Sequence, residues 1–226
     1  MISNNLSQPS QQNLPQLAIL ASGNGSNFQA IATAVNQQKI SAEIGVVIYN
    51  NPHAYVQLRA QKLGIPTVLL DHRQFASRED LDHAIVQTLQ QYHIDLVIMA
   101  GWMRIVTPVL ISAYSDRILN IHPSLLPSFP GNRAVQQALD YGVKVTGCTV
   151  HLVIPEVDRG KILAQAPVPV LPDDTVDTLQ ARIHAVEHEI YPQAIAEYLL
   201  QINTVHQDKK TYSLPSVGID KTVTLD

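Results

Sequence analysis

The sequence predicts an α/β fold, an open and mostly parallel twisted sheet with helices on both faces and an antiparallel C-terminal extension. Three observations carry that prediction. Short apolar runs alternate with helical periodicity from residue 17 to residue 122, and repeats of this kind build parallel sheets covered on both sides. After residue 145 the apolar period changes to two, the mark of half-buried antiparallel strands. The chain has 226 residues, 46% of them hydrophobic and 15% charged, which suits one domain with a sizeable core.

The elements follow in order. Leu17 to Ala21 is an apolar run before a Gly/Asn/Ser turn, and Phe28, Ile31, Ala32 and Val35 then recur at helical spacing: strand, loop, helix. Ile44 to Tyr49 is a second strand, after which Asn51 and Pro52 suit the N-cap and N1 positions of a helix that Gly64 can close. Thr67 to Leu70 is a third. Ser77, Glu79 and Asp80 cap a helix whose apolar face is Leu81, Ala84, Ile85 and Leu89. Leu96 to Ala100 is a fourth strand, Thr107 and Pro108 open a short helix, and Arg117 to His122 returns as a fifth strand.

Beyond residue 145, Cys148, Val150 and Leu152 alternate with Thr149, His151 and Val153, and a second alternation runs from Ile162 to Val170. These predict two antiparallel strands joined around Asp158-Arg159-Gly160, with Gly160 supplying a positive φ. A long helix carries Val176, Leu179, Ile183, Val186 and Ile190 on one stripe, and Pro192 is expected to break it before a second helical piece to about Leu200. Residues 1–16 form a polar lead-in, 17–202 a single domain, and 203–226 a polar tail.

Composition excludes several classes. Fifteen Lys+Arg against nineteen Asp+Glu give 15 − 19 = −4, with a pI near 6.1. Such a chain has no counterion-release drive toward a phosphate polymer, so no nucleic-acid partner is expected. No apolar run approaches the roughly 18 residues of a membrane span, so no membrane partner is expected either. Cys148 is the sole cysteine and nothing at the N-terminus reads as a secretory signal, which points to the cytoplasm. The oligomeric state is left open between monomer and homodimer.

Two motifs suggest chemistry. SGNGSN at 22–27 joins the first strand to the first helix, where exposed N–H groups and the helix dipole favour an anion. It is not a dinucleotide fingerprint, since Phe28 stands where the third glycine belongs and Tyr49-Asn50-Asn51 offers no acid for a ribose. A terminal phosphate monoester fits better. The second motif, NIHPSLLPSFPG at 120–131, opens at the carboxyl end of a central strand, where open α/β sheets bind ligands. Asn120 and His122 share one face of that strand, so a carboxamide and an imidazole can hold one oxygen. Pro123, Pro127 and Pro130 stiffen the loop that follows.

Taken alone, His122 is compatible with a structural role and Asp158 with turn chemistry. Arg78 and Arg104 lie past strand ends, where each could pair with a carboxylate or remain a solvated charge. Glu187 and His188 fall late in a helix. His151 and Cys148 have no further ligands at metal spacing, so no metal is expected, and Tyr191 and Trp102 read as packing.

SGNGSNFQAI at 22–31, MRIV at 103–106, NIHPSLLPSFPG at 120–131, GCTVHLVIPEVDRGKILAQAPVPV at 147–170 and EHEIYP at 187–192 together resemble the phosphoribosylglycinamide formyltransferase family. The resemblance covers almost the whole core, although HPSLLP alone is shared among enzymes that use 10-formyltetrahydrofolate. It implies transfer of the formyl group of 10-formyltetrahydrofolate, a co-substrate, to the amine of glycinamide ribonucleotide in purine biosynthesis. By resemblance, Asn120 and His122 donate to the formyl oxygen as charge develops, while Asp158 favours the imidazolium and organises the water that moves a proton. Gly25, Ser26 and Asn27 match the ribonucleotide phosphate loop and Glu187 a ribonucleotide contact. Arg78, Met103, Arg104, Ile105 and Val106 match the folate lining, with Arg104 the partner of its glutamate carboxylate. Arg133 and Val135 stand where some relatives carry histidines.

Rival readings are a formyltetrahydrofolate hydrolase, a methionyl-tRNA formyltransferase, and a catalytically silent folate or nucleotide binding module. The first two are expected to bring an extra N-terminal or C-terminal domain, for which 16 leading and 24 trailing residues leave no room. The third is discouraged by the presence of Asn120, His122 and Asp158 together.

Overall fold

The computed structural model describes residues 14–211, with side chains described through residue 202. Seven strands form one sheet in the order β3-β2-β1-β4-β5-β6-β7. They are β1 (Gln16–Ala21), β2 (Glu43–Tyr49), β3 (Thr67–Leu69), β4 (Leu96–Met99), β5 (Ile118–His122), β6 (Val145–Leu152) and β7 (Ile162–Pro169). The first five pair in parallel; β6 pairs antiparallel with both β5 and β7. The chain leaves β1 toward β2 and β3, then returns to its other side with β4. That reversal opens a crevice at the carboxyl ends of β1 and β4, the usual ligand site of such sheets.

Strand pleat divides the core. Leu17, Ile19 and Val47 face one layer with Phe28 and Ile31 of α1 (Ser26–Asn36) and with Leu179, Ile183 and Tyr191 of α6 (Val176–Thr211). Ala18, Leu20, Val46 and Ile48 face the other, against Leu81, Ile85 and Leu89 of α3 (Arg78–Gln91) and Leu110 of α4 (Pro108–Ala113). Within these continuous apolar runs the pleat therefore sorts alternate residues between helical layers. Ser77 caps α3 by accepting from the Asp80 N–H, and Thr107 caps α4 by accepting from the Val109 N–H.

Several boundaries differ from the sequence expectation. Asn51-Pro52 makes a turn instead of a helix start: the Asn51 carboxamide accepts from the His53 N–H, its carbonyl from the Ala54 N–H, and α2 (Val56–Lys62) begins later. An unanticipated helix, α5 (Ala134–Tyr141), starts without a side-chain cap at Arg133, whose φ is 61, and closes on Gly142 at φ 80. Pro192 does not break α6, which runs continuously to Thr211, past the expected boundary at Asn203. Tyr191, Ala194 and Ile195 are buried beside it, and this packing offsets the ~3 kcal/mol that an interior proline costs. Gln16 belongs to β1, while residues 1–13 of the lead-in and 212–226 of the tail lie outside the described residues.

The β6–β7 connection also corrects one detail. The positive φ belongs to Asp158, at 54, and not to Gly160. Gly160 is needed for close approach, because a Cβ there would lie 1.7 Å from the Leu152 carbonyl oxygen. Gly160→Ala is expected to destabilise the protein by about 1–3 kcal/mol through forced backbone displacement, read from the urea midpoint; an unchanged midpoint contradicts it.

Candidate active site

The pleat of β5 places Asn120 and His122 on one face, and the antiparallel register sets Asn120 opposite His151 of β6. The Asn120 Nδ2 lies 3.2 Å from the His151 Nε2. Asp158 enters from the β6–β7 connection: its Oδ2 accepts from the Gly131 N–H at 2.7 Å and lies 3.4 Å from the His122 Nδ1, and its Oδ1 lies 3.6 Å from the His151 Nε2. The other His122 nitrogen, Nε2, is 2.9 Å from the Phe129 carbonyl oxygen. Both nitrogens of this buried ring thus face acceptors, an arrangement fully satisfied only when both donate.

The proline loop is held by polar groups buried beneath it. The Ser124 hydroxyl donates to the Ser128 carbonyl at 2.6 Å, and the Thr149 hydroxyl donates to the Ser124 carbonyl at 2.7 Å while accepting from the Leu126 N–H at 3.0 Å. This fixes the Phe129 carbonyl against His122. For Asp158, burial raises the carboxyl pKa, but the His151 and His122 rings that face it and the Gly131 N–H outweigh it and hold the group below its ordinary value.

SGNGSN forms a second cluster. Gly25 has φ 76, and a Cβ there would fall 2.6 Å from the Val56 Cγ2, so glycine is required on both conformational and steric grounds. The first turn of α1 carries no side-chain cap and no acid, which leaves its N–H groups and dipole available to an anion. Arg59 braces the loop through the Asn24 carbonyl at 2.9 Å and its carboxamide oxygen at 2.8 Å. Asn27 donates to the Glu187 Oε2 at 2.8 Å. Burial pushes the Glu187 carboxyl up, opposed by Asn27 and by the charges of His184 and His122.

A cavity of about 790 Å³ opens at the carboxyl ends of β4 and β5. Asn120, His122, His151 and Asp158 line it together with Arg78, Arg104 and the segment Met103 to Val106. Arg133 and Val135 line it as well, so the positions that depart from some relatives border the same space. Gly25, Ser26, Asn27 and Glu187 do not line it; their link is the Ser22 hydroxyl oxygen, which accepts from the Met103 N–H at 2.8 Å. Met103 and Ile105 are exposed. The Nε of Arg104 is buried and, among the described residues, has no hydrogen-bond partner. Among those residues no group of three or more His, Cys, Asp or Glu is placed to hold a metal ion.

Sequence reasoning missed His151, dismissed as a metal ligand and given no other task. Only the strand register, Asn120 against His151, brings that ring to the carboxamide, and pairing register across two distant segments leaves no local mark in a sequence.

Residues 15–195 match the formyl transferase family. The chain belongs to that family. Its relatives include the phosphoribosylglycinamide formyltransferase of Bacillus subtilis, 39% identical over 186 residues that make up 82% of this chain and 95% of the relative. The Escherichia coli protein of the same name is 42% identical over 180 residues, 80% of this chain and 85% of the relative. The human trifunctional purine biosynthetic protein adenosine-3 is 44% identical over 180 residues; the chain covers 80% of itself there but spans 18% of that longer protein. Among solved structures, glycinamide ribonucleotide transformylase 1 of Symbiobacterium toebii superposes with a TM-score of 0.81 at 45% identity, covering 86% of this chain and 92% of that one. The formyl transferase fold of these neighbours is the mostly parallel sheet with an antiparallel end described above.

Proposed function

We propose that this formyl transferase moves the formyl group of 10-formyltetrahydrofolate to the amine of glycinamide ribonucleotide, giving formylglycinamide ribonucleotide and tetrahydrofolate. The observation that carries the reading is the meeting of Asn120, His122 and Asp158 at one cavity in a chain with relatives of that name. The co-substrate supplies the formyl carbon and a leaving nitrogen. The cavity volume suits a ligand of that size, and the Arg104 guanidinium at its border suits the carboxylate at the ligand's outer end. Arg78 and the wall from Met103 to Val106 complete the folate side.

The chain's own residues then act as follows. The Asn120 carboxamide and the His122 ring donate to the formyl oxygen while negative charge develops on it. The wider of the two His122 contacts, 3.4 Å to Asp158, leaves the Nδ1 proton available, with the carboxylate beside it as counter-charge. Asp158 also holds water that takes a proton from the attacking amine and returns one to the leaving nitrogen. Gly25, Ser26 and Asn27 cradle the ribonucleotide phosphate on the α1 N-terminus, and Glu187 contacts the same substrate through Asn27. Both partners are free small molecules, met in the cytoplasm by a single domain.

Tetrahydrofolate release from the purified chain, assayed with and without glycinamide ribonucleotide, tests this reading. Amine-dependent release is expected; equal release without the amine means a hydrolase. Inorganic phosphate is expected to compete with the ribonucleotide, and Gly25→Ala to raise the ribonucleotide KM at least tenfold, about 1.4 kcal/mol of binding, with the folate KM little changed. Phosphate inhibition that competes with the folate instead contradicts the placement of the loop.

A further inference from the structure

Two imidazole rings, those of His122 and His151, face Asp158. The His151 Nδ1 lies 2.8 Å from the Leu152 carbonyl oxygen, which only accepts, so that nitrogen carries a proton whatever the charge of the ring. Its Nε2 faces two groups with opposite demands: the Asn120 Nδ2, which only donates, at 3.2 Å, and the Asp158 Oδ1, which only accepts, at 3.6 Å. A proton on Nε2 serves Asp158 and repels the carboxamide; a bare Nε2 accepts from Asn120 and leaves Asp158 to His122. The shorter contact is to Asn120. Asp158 already accepts from the Gly131 N–H and faces the His122 Nδ1, so His122 is the ring it supports as an imidazolium.

We propose that His151 is a positioning residue that acts as a neutral ring, accepting one Asn120 Nδ2 hydrogen on its bare Nε2 and thereby aiming the other at the formyl oxygen. A free carboxamide turns over readily, presenting its oxygen to the developing negative charge, where it repels. With Nε2 accepting, the nitrogen end is fixed beside His151 and the second N–H points from a known place. The ring is buried, and its Nδ1 bond to Leu152 sets its orientation, so the donor direction is built into the β5–β6 register before substrate arrives. Preorganisation of this kind lowers the barrier without adding a contact to either substrate.

The inference rests on Asn120 being the donor at the formyl oxygen, and its test separates the two claims. Glutamine at position 151 can place an amide oxygen where Nε2 was, whereas asparagine reaches only the Nδ1 position. His151→Asn is expected to lower kcat about tenfold or more with both KM values within threefold, and His151→Gln to recover most of that loss. In an Asn120→Ala background, exchanging His151 for Asn is expected to change kcat less than twofold, because the group it positions is gone. Nitrogen-15 NMR of the histidine-labelled full chain at neutral pH is expected to show one protonated and one bare nitrogen for His151. Equal loss in the Gln and Asn variants, additive losses in the double variant, or two protonated nitrogens on His151 would each overturn the proposal. Normal turnover of Asn120→Ala itself removes the reading beneath it instead.

Discussion

Asn120→Ala and His122→Ala are each expected to lower kcat at least a hundredfold, about 3 kcal/mol of barrier, while the folded state persists. Each removes a donor from the oxygen that gains charge, and such donors act mainly in the transition state, so kcat falls and KM moves little. The structure gives the reason folding is expected to survive. Asn120 is half-buried and its side-chain hydrogen bond is to one ring, and His122 bonds a loop carbonyl that the Ser124 hydroxyl also approaches at 3.3 Å. Circular dichroism and a urea midpoint alongside the kinetics check this; near-normal kcat in both variants rejects the assigned roles.

Asp158→Asn is expected to cost a comparable factor, a hundredfold or more, for a different reason. The amide keeps an oxygen for the Gly131 N–H but removes the negative charge beside His122 and the basic oxygen for the water. The same substitution has a pH signature in stability. Because the folded Asp158 carboxyl lies below its ordinary value, its contribution is complete above the unfolded value and is lost as pH falls through the folded one. The wild-type stability curve therefore drops on the acid side, and Asp158→Asn is expected to flatten that drop. Parallel acid limbs in the two proteins contradict it.

Much of this was legible in the residues. Short apolar runs gave the five parallel strands, a period of two gave the last two, and a period of 3.6 gave most helices, since each pattern faces the core directly. SGNGSN announced a strand-loop-helix junction because Gly25 has a local conformational cause. Asn120 and His122 were placed on one face by strand pleat alone. What stayed hidden depends on neighbours far along the chain. Asn51-Pro52 became a turn because the Asn51 carboxamide bonds the His53 N–H. Pro192 stays inside α6 because packing outweighs its local cost. Asp158 gains meaning only once the hairpin folds back over Gly131, and His151 only through the β5–β6 register.

The most direct measurement is a crystal structure of the full chain with glycinamide ribonucleotide and a folate analogue whose formyl mimic cannot be transferred. The account predicts the Asn120 Nδ2 and the His122 Nδ1 within hydrogen-bond distance of the mimic's oxygen, Asp158 against His122, and the phosphate on the backbone of Gly25 to Asn27. A mimic bound in the cavity with its oxygen turned away from both side chains, or a phosphate bound elsewhere, would contradict it.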